Sequence, residues 1–187
     1  MASRLFDAIS NKGNYNIGAL NSKWTKHMVN GAILDSDKVE NYTLVEIFYD
    51  EDGELHAKQL TDPKKKGYLV TTVEEDQLLE GEEYVDFYNA KGEIIRITDV
   101  DEQKNSRFET SAISLNEGGV GSGGSKVASI KNGMVAHFDP TSKTYVVSDK
   151  ASPATAYDTA INKFEVVDSD TDLGYAFDKP TIRLMSI

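Results

Sequence analysis

The chain contains no cysteine, three histidines, four prolines and a single tryptophan among its 187 residues. Without cysteine there is no disulfide framework, no thiol catalysis and no cysteine-ligated zinc. The compartment stays open, since many exported proteins also lack it. Long hydrophobic runs are missing too. The longest apolar stretches are as short as Thr43-Leu44-Val45 and Ile94-Ile95, far below the roughly 18–20 residues of a membrane-spanning helix. The opening Met1-Ala2-Ser3-Arg4-Leu5-Phe6 carries one early charge and no hydrophobic segment behind it, so no signal peptide is expected. His27, His56 and His137 fall in separate segments with no metal-ligand spacing. No catalytic residue, metal or cofactor is expected from this pattern, and the chain reads as a non-enzyme.

What the chain has in excess is acid. Thirty-one acidic residues against twenty basic ones give a net charge of −11. Nucleic-acid surfaces need Lys and Arg to meet phosphate, and anionic membranes repel such a field, so neither is an expected partner. The charge is split along the chain. Residues 1–28 hold Arg4, Lys12, Lys23 and Lys26 against Asp7 alone, a balance of +3, which leaves −14 on residues 29–187. A basic leader thus precedes an acidic body.

The leader reads as an extended arm. Residues 11–23 are rich in Asn and Gly, which favour turns, although Ser3 is placed to cap one or two helical turns presenting Leu5, Phe6 and Ile9 on one face. Phe6, Tyr15 and Trp24 punctuate it. Large aromatics on a poorly structured segment need burial, either on their own body or on a neighbouring subunit. Arg4, Phe6, Tyr15, Lys23 and Trp24 are the candidate partner-binding residues.

Beyond the arm the pattern is mainly β, with short helices. Thr43–Tyr49, an Asp50–Gly53 turn and Leu55–Leu60 predict a hairpin. A strand follows at Tyr68–Val73, and a helical turn at Glu74–Leu79. A second hairpin is expected from Tyr84–Tyr88 and Glu93–Thr98 around a turn at 89–92, then a strand at Phe108–Leu115. Residues 116–126 are the one Gly/Ser-rich stretch, a linker or surface loop. Strands then recur at 127–130, 134–138, 144–148, 163–167 and 181–185, with a short helix near 154–161. The expected organisation is an arm (1–28), a β domain (29–115), the linker (116–126) and a smaller β domain or subdomain (127–187), built as small antiparallel sandwich or barrel units. Val29–Val45 and Lys131–Val147 echo one another, each placing an Asn-Gly turn before a short apolar strand, then an Asp-led turn and a Tyr-led strand. Duplication and coincidence both account for that.

Other motifs argue against chemistry. Asp168-Ser169-Asp170-Thr171-Asp172 opens like a calcium loop, but Leu173 stands where glycine is required and Lys179 where the bidentate Glu belongs. The glycine-rich stretch lacks the Lys-Ser/Thr ending of a phosphate loop. Trp24, Tyr84 and Tyr88 are conceivable sugar-stacking platforms, which keeps a soluble carbohydrate- or host-surface-binding module as the alternative reading.

The phrases Ser3–Ile9, Val29-Asn30-Gly31 with Leu34-Asp35, Val85–Glu93, Arg107–Ala112 and Asn132–Pro140 give the chain a layout that resembles capsid-associated structural proteins of tailed bacteriophages of Gram-positive hosts. The resemblance implies a decoration or cement protein on the capsid exterior of the virion, made in the host cytoplasm. Its partners would be the major capsid protein and, in a homo-oligomer, copies of itself. No catalytic or ligand residue is carried over.

Overall fold

The computed structural model describes residues 18–20, 28–72, 87–100, 104–114, 130–169 and 181–187. The fold is mainly β, as expected, with one short described helix. Its two principal elements are a closed five-stranded barrel and a seven-stranded sheet.

The barrel is made by β2 (Met28–Leu34), β4 (Leu44–Tyr49), β5 (Leu55–Gln59), β6 (Tyr68–Val70) and β8 (Ile94–Thr98), closed in the order β2-β5-β4-β6-β8. The hairpin β4–β5 forms as its alternation predicts, with Phe48 opposite His56 and Glu46 opposite Lys58. Closure comes from β2, which runs parallel to β5 and antiparallel to β8. Inside lie Ala32, Leu34, Val45, Ala57, Val70, Ile95 and Ile97, all buried, with Val39 and the partly buried Ile47, Leu55 and Tyr68. Five strands enclose little volume, so small and β-branched side chains dominate that interior.

Asn30-Gly31 does not make the turn expected of it. The register of β2 against β8 shifts between Asn30 and Ala32, and Gly31 takes φ 94°. This is a bulge inside a continuous strand, a place where glycine relieves the cost of positive φ. The second expected hairpin is also corrected. Described residues Phe87 and Tyr88 are not a strand, and β8 pairs with β2 and β6 instead. Asn89-Ala90 forms β7, which pairs with β3 (Lys38–Val39) as a two-stranded ribbon. Buried Asn89 fixes it by donating from Nδ2 to the Val39 carbonyl at 2.9 Å. The expected strands or turns over 73–86 and 115–129 lie outside the described residues.

The seven-stranded sheet runs β1 (Gly18–Leu20), β9 (Arg107–Thr110), β14 (Ile182–Ser186), β13 (Lys163–Asp168), β11 (Val135–Asp139), β12 (Thr144–Ser148) and β10 (Ile113–Ser114). The single strand expected over 108–115 is broken at Ser111-Ala112, so that β9 joins one side of the sheet and β10 pairs parallel with β12. The helix α1 (Thr155–Thr159) packs near β11.

Where the two elements meet lies the larger core. Leu44, Leu60, Leu69 and Val100 from the barrel side pack with Phe108, Phe138, Tyr145, Phe164 and Leu184 from the sheet. The four aromatic rings contact one another mostly edge-on or tilted, with centroids 5.2–5.6 Å apart. Polar ties cross the same junction. The Tyr145 hydroxyl donates to the Tyr42 carbonyl at 2.8 Å, and Asn162 accepts from the Gly67 amide while donating to the Lys65 carbonyl. A Cβ at Gly67 would stand 3.1 Å from both Leu44 and Asn162, so glycine permits this close approach.

Candidate functional site

The expected partner-binding residues Arg4, Phe6, Tyr15, Lys23 and Trp24 lie outside the described residues. The arm's described piece is β1, which pairs antiparallel with β9 and sets Gly18 beside Thr110 and Leu20 beside Phe108. Three residues of the arm are therefore anchored on the body as an edge strand, and its last residue, Met28, already belongs to β2 opposite Thr98.

On the barrel the outer wall carries a row that the sequence did not single out. Because Ile94 faces Ile33, Ile33 faces His56 and His56 faces Phe48 in register, these four side chains stand on one side of four adjacent strands. Their neighbours Leu34, Ala57 and Ile95 point inward and are buried, which fixes the row as outward. Ile94 is 65% exposed, and Tyr49 at the barrel rim is 70% exposed. His56 stacks on Phe48 at 5.4 Å, and the Lys58 ammonium lies over the same ring at 5.2 Å.

Acidic residues border this row. Asp50, Glu54 and His56 converge at the end of the β4–β5 hairpin, with one ligating atom from each within 4.8 Å of the others. Asp50 Oδ1 accepts the backbone N–H of Asp52 and Glu54 at 3.0 and 2.8 Å, and Oδ2 lies 3.1 Å from His56 Nε2. The Glu54 amide, followed by the imidazole and the Asp52 amide, outweighs desolvation and holds the Asp50 carboxyl below the usual carboxylate range. Each Asp50 oxygen is thus already engaged in locking the turn. A cation at this point would have to compete with His56.

Elsewhere charged groups tie strands together. Burial alone would raise the Glu46 carboxyl, but the ammonium groups of Lys65 and Lys58, at 2.9 and 3.3 Å, hold it below its ordinary value. Lys66 meets Asp99 at 2.7 Å. On the sheet Arg183 joins Glu109 and Asp168, so the first acid of the calcium-like run is held in a cross-strand ion pair.

His56 and His137 sit in different units, on β5 and β11. His137 is buried, touches Tyr157 edge-on at 6.4 Å, and its Nδ1 has no hydrogen-bond partner. Burial pushes its imidazole below the ordinary value, against the pull of the Asp139 charge. Of the tyrosines considered for sugar stacking, Tyr88 has the Lys38 ammonium 4.8 Å from its ring centroid, while Tyr84 lies outside the described residues.

Neither the row nor the acid cluster was legible as a site. Thr43–Tyr49 and Leu55–Leu60 announced strands, but Ile94-Ile95 is apolar on both faces, so alternation does not say which Ile points outward. Asp50–Gly53 was readable only as a turn.

Among known proteins, the chain matches the family described as YonC prophage protein over residues 11–187. It is also 38% identical, over 184 residues, to the SPbeta prophage-derived uncharacterized protein YonC of Bacillus subtilis (strain 168). That alignment covers 98% of this chain and 97% of the relative. No solved structure matches it. Among the described residues no helix is long and apolar enough to cross a membrane. With nearly its whole length matched at this identity, the chain belongs to the YonC prophage protein family, a phage-derived family with a member from a Gram-positive host.

Proposed function

We propose that this protein is a non-catalytic structural component of a phage virion that binds the outer surface of the capsid and stabilises it. Its partner is the major capsid protein, and its adhesive element is the N-terminal arm, which also contacts neighbouring copies. The observation that carries this reading is the charge split, +3 on residues 1–28 against −14 on the remainder, in a chain of a prophage family. Packaged DNA presents negative charge inside a head, so an acidic body is repelled from the inner surface and tolerated outside. A basic arm bearing aromatics is suited to clamp an acidic neighbour. The ion pairs and buried hydrogen bonds described above serve the body's own cohesion, which suits a stabilising component.

Two measurements test it. Mass spectrometry of purified virions, scaled to the major capsid protein, should give hundreds of copies. A dozen or fewer would move the protein to the neck or tail, and none would remove it from the virion. Deleting residues 2–24 should abolish capsid binding and the added thermal stability of the head, whereas unchanged binding would sink the role of the arm.

A further inference from the structure

We infer that the row Ile94–Ile33–His56–Phe48 on the barrel wall is the receiving surface for the N-terminal arm, residues 1–17, of a second copy of this chain. The inference rests on the reading of the arm as the adhesive element and names the surface it meets. The row lies four strands wide, and its two ends, Ile94 and Phe48, bracket one continuous outward strip. The sheet-facing side of the barrel is the side of Leu44 and Leu69, on β4 and β6. β2 and β5, which carry the middle of the row, lie across the ring from β6. Among the described residues the shared core therefore does not include the strip, in which Ile94 is exposed and Ile33, His56 and Phe48 are half-buried.

Its border supplies the complement to the arm. Asp35, paired with Lys91, flanks the strip on one side; on the other the β4–β5 turn carries Asp50, paired with His56, and the exposed Glu51, Asp52 and Glu54, while the Lys58 ammonium lies over the Phe48 end. The arm offers the converse: Leu5, Phe6 and Ile9 as apolar groups among Arg4 and Lys12, with Asp7 as its one acid. Apolar contact supplies the affinity, and the opposite charges orient the arm and speed its encounter. The seventeen residues before Gly18 span up to about 55 Å when extended, enough to reach an adjacent copy. Direction favours a second copy over the arm's own barrel. At the Leu20 end of β1 the chain proceeds to β2 and the barrel, while residues 1–17 leave from the Gly18 end, beside Thr110.

Because the chain has no cysteine, cross-linking reads this directly. One preparation carries Phe6→Cys and a second carries Ile94→Cys, and the two full-length chains are mixed and oxidised. A mixed disulfide dimer should form well above the background given by Thr141→Cys, an exposed position on the β11–β12 turn of the other unit. A dimer yield no greater than that background overturns the inference. So does a chain carrying both cysteines that closes on itself as monomer instead of forming dimers. Ile94 is exposed, so Ile94→Asp should leave the fold intact while weakening self-association by about tenfold in sedimentation experiments; unchanged association also overturns the inference. Capsid binding is measured alongside. A protein that binds capsids but shows no Phe6–Ile94 link refutes the receiving surface alone, whereas a link without capsid binding refutes the capsid reading alone.

Discussion

The barrel and the seven-stranded sheet use strands of similar length but are filled in opposite ways. The barrel interior holds two alanines and a set of Val, Ile and Leu, whereas the layer between barrel and sheet is built on Phe108, Phe138, Tyr145 and Phe164. A five-stranded ring fixes its own radius, and side chains must fit inside it. A layer between two surfaces has a thickness set by whatever packs there, and large rings fill it with edge-on contacts. The barrel should therefore be intolerant of added volume and the layer intolerant of lost volume.

Removing a ring from the layer should have the largest effect. Phe108→Ala is expected to cost about 3–5 kcal/mol, seen as a large fall in the urea midpoint. Because Phe108 shares one core with Leu44 and Leu69, barrel and sheet should unfold in one transition. Separate transitions in the parent protein would break the picture of a common core. The converse test adds volume to the barrel: Ala57→Leu should destabilise by about 1–3 kcal/mol through overpacking. A neutral result would mean that the ring expands at little cost.

Asn162 tests the polar seam between the two elements. Asn162→Ala leaves the Gly67 amide and the Lys65 carbonyl without this side-chain partner, at an expected cost of about 1–3 kcal/mol. Faster amide exchange at Gly67 than at Ala57 would locate the damage at the seam.

His137 gives a smaller, pH-dependent contrast, because the barrel histidine, His56, is less buried and paired with Asp50. Burial holds the folded His137 imidazole below the ordinary histidine value of about 6.5. The unfolded chain therefore takes up the proton first. Its contribution is intact above that value and is lost as pH falls from it toward the lower folded value. Denaturation midpoints across this window should fall with acid in the parent and fall less in His137→Leu. An identical slope in both would assign the acid sensitivity to other groups. The smallest effect is expected at the exposed Lys91–Asp35 pair, 3.2 Å apart, where Lys91→Ala should change the thermal midpoint by an amount worth less than about 1 kcal/mol.

The two echoing segments show how far local sequence carries. Asn132-Gly133 makes a turn ahead of β11, with Gly133 at φ 85°, while Asn30-Gly31 sits inside β2 as a bulge. The following strand also differs in place: β12 pairs with β11, but β5 intervenes between β2 and β4. The same dipeptide supplies positive φ in both. In β2 the glycine lies between residues paired to β8, more than sixty residues away, whereas at Gly133 the amide donates to the Val166 carbonyl of β13 just ahead of the point where β11 begins.

By itself the sequence determined the β class, the 44–59 hairpin, the strands β11 to β14 to within a residue or two, the short helix and the charge split, because alternation, turn chemistry and charge are local or summed properties. The division of 107–114 between β9 and β10, the closure of the barrel by β2, and the outward row of Ile94, Ile33, His56 and Phe48 were decided only by tertiary structure. Each depends on which distant strand supplies the hydrogen bonds and which face the core covers, and no window of neighbouring residues contains that information.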